Sequence, residues 1–157
     1  METPHIAVDT SKSVFHLHAT DAAGRCTGRL ELERARFLAY FAKQAPLTVT
    51  LEACGGSHHW GRELARLGHT VRLIAPQHAK PFLKRGKNDR ADAEAISEAA
   101  SRPSMRFVPI KSAETQAVAM AQSMRQQLVG QRTALVNAPR WSTRCAAMPV
   151  NSAWSSG

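Results

Sequence analysis

The order in which hydrophobic periodicity changes along the chain limits the fold more strongly than any other feature of the sequence. Near the N-terminus, residues 5–9 form a short β-favouring run, and apolar and polar residues alternate as in β-strands over residues 14–19 and 29–33. Turn-like sequences separate these segments, so we predict three antiparallel strands. Over residues 33–44 the apolar residues recur at helical spacing, and Pro46 is expected to end that helix.

The next part of the chain alternates strands with a helix. Residues 47–53 and 70–75 have the composition of β-strands, and residues 57–67 between them have a helical period. Ser57 is expected to cap this helix and Gly68 to end it. Strands joined through helices run parallel, so the complete order predicts an α/β fold of the ribonuclease H-like type, a mixed sheet with flanking helices.

Four acidic residues stand where such a fold carries its chemistry. Asp9 and Glu52 each end a predicted strand, whereas Asp89 and Asp92 lie one helical turn apart in a later segment. Because ligands bind at strand ends in open α/β sheets, these carboxylates are expected to converge. Each acid alone has a simpler interpretation: a turn at Asp9, a solvated strand end at Glu52, or a helix cap and a favourable dipole contact for the other two.

The combination of the four acids favours a magnesium site. Mg²⁺ prefers oxygen ligands and is usually held by a few carboxylates, with water or substrate phosphate completing its shell. Four carboxylates can hold two ions, which would clamp the attacking and leaving oxygens of a phosphoryl transfer. Bound cations would also offset the repulsion between neighbouring carboxylates.

A run of basic residues precedes the two helical acids. The chain has 21 Lys and Arg residues against 12 Asp and Glu residues, a formal net charge of +9. That excess favours a polyanion as partner, and a solvated basic surface is the alternative. At the edge of a metal site, basic residues could neutralise the phosphates of a bound nucleic acid. Five of them crowd the approach to the helical acids: Lys80, Lys84, Arg85, Lys87 and Arg90.

The chain resembles the DEDD transposases of the insertion-sequence-110 group, whose N-terminal domain is RuvC-like. The resemblance spans residues 4–137 and implies that Asp9, Glu52, Asp89 and Asp92 are the catalytic tetrad that binds Mg²⁺ and acts on DNA. It also implies recombination guided by a structured non-coding RNA. The motifs that carry it are Ile6-Ala7-Val8-Asp9, Leu51-Glu52-Ala53-Cys54-Gly55, Leu73-Ile74-Ala75-Pro76, Lys87-Asn88-Asp89-Arg90-Ala91-Asp92-Ala93 and Arg106-Phe107-Val108-Pro109-Ile110-Lys111-Ser112.

Three segments are expected along the chain. A RuvC-like domain should occupy residues 1–111, and a long helix should follow over residues 112–137. Heptad-like apolar spacing in that helix suits a coiled coil and hence a homo-oligomer, with packing onto the domain's own sheet as the alternative. Residues 138–157 contain Pro139, lack acids and show no periodicity. We expect them to be an irregular tail from a frameshift or premature end, standing where complete family members carry a domain with a nucleophilic serine.

Three functions fit this sequence. The first is a metal-dependent DNA-processing domain of a transposase, incomplete as this chain. The second is a nucleic-acid-binding module without full catalysis, and the third is a nuclease like a Holliday-junction resolvase, which would use the same carboxylates. A kinase of related fold would need a second domain, for which 157 residues leave no room.

The sequence also predicts the compartment. Its three cysteines are widely spaced and form no Cys-x-x-Cys pair, as expected for reduced thiols. The N-terminal residues do not have the pattern of a signal peptide, and no apolar run is long enough to cross a bilayer. We therefore expect a cytoplasmic protein with no membrane partner.

Overall fold

The computed structural model describes residues 4–82 and 89–146. Six strands form one sheet, and their bounds are β1 His5–Thr10, β2 Val14–Thr20, β3 Cys26–Glu33, β4 Thr48–Glu52, β5 Thr70–Ile74 and β6 Phe107–Val108. The α-helices are α1 Phe37–Phe41, α2 Ser57–Arg66, α3 Pro76–Ala79, α4 Asp89–Ala100 and α5 Ala113–Ala146. Two compact units result, Met1–Ala113 and Glu114–Gly157.

The sheet has the strand order β3-β2-β1-β4-β5-β6. Strands β1, β2 and β3 form the antiparallel meander, while β4 lies parallel to β1 and β5 lies parallel to β4. Strand β6 then pairs antiparallel with β5. The predicted α/β ribonuclease H-like fold, with its mixed sheet, flanking helices and long C-terminal helix, is therefore confirmed.

The two faces of the sheet are packed differently. One face carries an aromatic core with α1 and α2, in which Phe15, Phe37, Phe41 and Trp60 are buried. The other face packs against α3 and α4 through smaller side chains, among them Ala7, Ile96 and Ala99. Because side chains alternate along a strand, Ile6 and Val8 enter the aromatic core whereas Ala7 faces α4. His5 and Asp9 share the face of Ala7.

Several local predictions need correction. The helix predicted over residues 33–44 is shorter, because its first turn is a 3₁₀ turn at Arg34–Arg36 and α1 ends at Phe41. Ser57 does not cap α2; its buried hydroxyl accepts a hydrogen bond from the Cys54 N–H and donates one to the Cys54 carbonyl. Gly68 ends that helix as predicted, with a positive φ of 91° that favours glycine.

Helix α5 continues past Asn137, where we expected it to end, to Ala146. Pro139 therefore lies within the helix, although an interior proline removes a backbone hydrogen bond and its ring crowds the preceding turn, which is why we expected the helix to end there. Residues 138–146, which we expected to belong to an irregular tail, are thus part of this helix, and residues 147–157 lie outside the described part of the chain. Among the described side chains of α5, the large apolar ones are exposed, with Leu128 at 63% and Leu135 at 74%. None of the helices within residues 4–82 and 89–146 has both the length and the apolarity to span a membrane.

His5 is a polar residue held under α4, at the end of the sheet opposite Asp9. Its Nε2 lies 2.8 Å from Thr50 Oγ1, and its Nδ1 lies 3.4 Å from Thr20 Oγ1. Burial lowers the pKa of His5 to about 4, and the positive charges of Arg72 and His18 act in the same direction. The imidazole is therefore neutral in the folded protein at neutral pH.

This burial predicts a loss of stability in acid. Between pH 6.5 and about 4 the unfolded chain protonates His5 while the folded chain does not. The unfolded state then binds more protons, so the stability present above pH 6.5 should fall by roughly 3 kcal/mol across this window. Urea unfolding of the parent and of His5→Gln at either end of the window measures this. An equal loss in both proteins would contradict the assignment to His5.

Candidate functional site

Two of the predicted acids lie side by side at one end of the sheet. Strands β1 and β4 are parallel neighbours, and Val8 is paired with Leu51. Asp9 and Glu52 are the next residues of the two strands, so both carboxylates lie at the same edge, on the face that packs against α4. Both residues are half-buried.

The ends of these strands are held by short-range contacts. The Ala53 N–H donates a hydrogen bond of 2.7 Å to the Ile74 carbonyl, which ties the end of β4 to β5. Thr10 Oγ1 and Cys54 Sγ lie 3.5 Å apart and join the ends of β1 and β4. The backbone around Asp9 and Glu52 is therefore fixed by its neighbours.

Helix α4 brings the third acid to this edge. It packs on β1, β2 and β4, and its buried residues Ala93, Ile96 and Ala99 are mostly small, which allows a close approach to the sheet. Asp92 is half-buried one residue before this buried stripe. Asp89 is the first residue of α4, one turn earlier, but its side chain lies outside the described part.

Glu52 and Asp92 interact electrostatically. Burial raises the pKa of the Glu52 carboxyl, the charge of Asp92 raises it further, and the ammonium group of Lys80 opposes both. The two acids and the lysine therefore share one neighbourhood, although they come from β4, α4 and the turn Lys80–Phe82. A cation bound at this edge would relieve the repulsion between the carboxylates.

The chemistry of these acids, rather than their present spacing, suits a hard divalent cation. Carboxylate oxygens are the preferred ligands of Mg²⁺, and Asp9, Glu52 and Asp92 supply them from three elements. Within the described residues, no three His, Cys, Asp or Glu side chains are close enough to one another to hold a metal ion. The predicted tetrad also includes Asp89, whose side chain is outside that description.

The basic run is described only in part. Lys80 is exposed beside the acids. Lys84, Arg85 and Lys87 lie outside the described residues, and of Arg90 only the backbone is described, within α4.

Two residues that continue from Asp9 across the sheet, His16 and Glu31, were not predicted from the sequence. Asp9 is paired with His16 of β2, and His16 is paired with Glu31 of β3. His16 Nδ1 lies 3.7 Å from Glu31 Oε1. The alternation of His16 with Phe15 and Leu17 showed only that His16 faces away from the aromatic core. Its place opposite Asp9 depends on the strand register.

A long-range ion pair links the meander to α4. The Arg29 guanidinium of β3 donates a hydrogen bond of 2.8 Å to Glu94 Oε2, two residues after Asp92. Arg29 and Glu94 are 65 residues apart in the sequence, so no local pattern could have identified this ion pair. The pair connects α4 to the edge strand of the sheet.

The chain is similar to a family described as transposases, the DEDD group of insertion sequence 110, whose family model matches residues 6–140. It is 56% identical over 135 residues to a protein of Sinorhizobium fredii with a provisional transposase name, covering 86% of this chain and 35% of that protein. It is 51% identical over 140 residues to a probable family 20 transposase of Pseudomonas aeruginosa, covering 89% of this chain and 41% of that one. The chain thus spans well under half the length of these relatives.

Solved structures give a weaker likeness. The Thermus thermophilus RuvC structure is 13% identical, with a TM-score of 0.48, and the match covers 67% of this chain and 99% of that one. A second structure, titled as T. thermophilus RuvC in complex with a Holliday junction substrate, is 12% identical with a TM-score of 0.47, covering 68% and 100% of the two chains.

Proposed function

The chain belongs to the DEDD transposases of the insertion-sequence-110 group, and we propose that it is their RuvC-like DNA-processing domain. The observation that carries this proposal is the meeting of acids from separate elements at one sheet edge. Asp9 and Glu52 lie side by side, and Asp92 raises the pKa of Glu52 from α4. Asp89, one turn before Asp92, would be the fourth member of the tetrad.

In this proposal the four carboxylates hold one or two Mg²⁺ ions, which supply Lewis-acid stabilisation of the charge that develops on the scissile phosphate. The chain's own residues fix the geometry. The neighbouring strands hold Asp9 and Glu52, while the Arg29–Glu94 pair and the small residues of α4 position Asp92. Lys80, whose charge acts on Glu52, would contact a phosphate beside the site.

The function is tested with labelled branched DNA and Mg²⁺. We expect the parent to bind and nick the DNA, and we expect Asp9→Asn and Asp92→Asn to give no product. Products formed equally by the parent and both variants would contradict a site at these residues. Binding without product by the parent would favour the module without full catalysis, which is the natural alternative for a chain that spans 35–41% of its relatives.

We further propose that the basic run binds a structured guide RNA and the DNA backbone. Replacing Lys84, Arg85 and Lys87 together by alanine should weaken binding to both. It should also flatten the slope of log affinity against log salt by about 0.9 for each duplex phosphate that the variant no longer neutralises, because fewer counterions are released. The control replaces three basic residues on the side of α1 and α2: Arg36, Lys43 and Arg66. An equal effect of both triple variants would place the binding face elsewhere.

The exposed apolar side chains of α5 support a homo-oligomer. Val118, Met124 and Leu128 are each more than half exposed, as expected for a helix surface that a partner helix covers. Leu128→Glu is expected to shift the sedimentation coefficient from oligomer to monomer, whereas Gln127→Glu should not. A monomer at every accessible concentration in the parent would reject self-association.

A further inference from the structure

A groove on the α4 side of the sheet is lined in part by neighbours of the predicted acids. It has a volume of about 350 Å³ and is lined by His16 and His18 of β2, Arg29 and Glu31 of β3, and Ala93 of α4. His16 is the cross-strand partner of Asp9, and Ala93 immediately follows Asp92. A molecule bound in this groove would therefore contact residues adjacent to Asp9 and Asp92.

The groove offers both donors and acceptors. The Arg29 guanidinium can only donate and the Glu31 carboxylate accepts, while each imidazole can do both according to its tautomer. A phosphate carries only acceptors and would be repelled by Glu31. The edge of a nucleobase carries donors and acceptors together, which matches this set. The volume of the groove also lies within the range of about 300–1,000 Å³ typical of small-ligand pockets.

His16 and Glu31 are the groove residues that continue across the sheet from Asp9. The His16 side chain is 14% exposed, and its Nδ1 lies 3.7 Å from Glu31 Oε1. Glu31 is 45% exposed, so it can be reached from solvent. Imidazole rings stack on unstacked bases, and a carboxylate accepts hydrogen bonds from base amino groups.

We propose that this groove is a nucleotide subsite, which takes the base next to the scissile phosphate of the DNA strand. His16 and Glu31 contact that base and so set the position of the strand over Asp9. The inference rests on the proposed function, because the scissile phosphate is defined by the metal site. Extrusion of a base into a pocket is a known way to present a strand to an enzyme.

The test uses the full chain and a set of fluorescein-labelled DNA four-way junctions that differ only in the position of one abasic nucleotide. Binding is measured by fluorescence anisotropy with Ca²⁺ in place of Mg²⁺, so that cleavage does not interfere. In the parent, one abasic position should lower affinity by about tenfold, the effect of removing one base contact. In His16→Ala and Glu31→Gln, that position should matter no more than the others.

Two control variants complete the experiment. Glu33→Gln removes the next acid on the same face of β3, whose side chain is 68% exposed and lies beside Arg36, and it should keep the parent's profile. Asp92→Asn reports on the metal site alone and should abolish the Ca²⁺-dependent part of binding. If His16→Ala fails to fold, Glu31→Gln still tests the subsite, because Glu31 is partly exposed.

The outcomes distinguish a failure of the nucleotide subsite from a failure of the proposed function. If Asp92→Asn loses metal-dependent binding but His16→Ala and Glu31→Gln keep the parent's profile, the subsite is wrong and the proposed function stands. If Asp92→Asn binds as the parent does, or the parent binds no junction, the proposed function fails and the subsite fails with it. A profile flattened equally by Glu33→Gln would also overturn the subsite.

Discussion

Phe37→Ala is expected to destabilise the fold by roughly 3–5 kcal/mol, the usual result of removing a large buried aromatic side chain. Phe37 is fully buried and lies edge-to-face with Phe15 at 4.8 Å, Phe41 at 4.9 Å and Trp60 at 5.3 Å between ring centroids. The substitution would leave a cavity where β2, α1 and α2 meet.

Urea unfolding at neutral pH measures this loss. Leu38→Ala, at the neighbouring partly buried position, is the matched control and should have a smaller effect. A loss for Phe37→Ala below about 1 kcal/mol, the ordinary effect of a single substitution, would show that the aromatic cluster is not the centre of the core.

Asp92→Asn is expected to abolish stabilisation by Mg²⁺. In the parent, a cation at the four acids binds only the folded state, and at about 100 times its Kd it would add about 2.7 kcal/mol to the free energy of unfolding. Without metal the variant should be at least as stable as the parent, because Asp92 repels the Glu52 carboxylate and raises its pKa.

Thermal unfolding with and without Mg²⁺ distinguishes these effects. Glu98→Gln removes another acid of α4, exposed and paired with Arg102, and should respond to Mg²⁺ as the parent does. The same Mg²⁺ response in Asp92→Asn and the parent would mean that the ion binds elsewhere.

The fold could be predicted from the sequence where local pattern and tertiary structure agree. A β-favouring run predicted β1, alternating residues predicted β2, and Gly68 marks the end of α2. Prediction failed where the local pattern was too short to give a signal or pointed to a different structure. The segment around Phe107 pairs with β5 over only two residues, too few for a periodic signal. Helix α5 accommodates Pro139, although proline disfavours a helix interior.

The candidate site could be predicted in part for the same reason. Asp9 and Glu52 were identified because a strand end is visible in the sequence, and parallel pairing then aligns them. His16 and Glu31 were missed because their position beside Asp9 follows from the register of two antiparallel pairs. Register depends on tertiary packing, which the composition of a single strand does not determine.

The most direct test of the account is a crystal of the chain grown with Mn²⁺, which binds the same carboxylate ligands as Mg²⁺ and scatters anomalously. We predict an anomalous peak at the carboxyl ends of β1 and β4, at a coordination distance of roughly 2.0–2.6 Å from carboxylate oxygens of the proposed tetrad, Asp9, Glu52, Asp89 and Asp92. In crystals of Asp92→Asn grown in the same way, the peak should weaken or disappear. A peak at any other position, or none at this edge of the sheet in the parent, would contradict the central claim that these acids form a metal site.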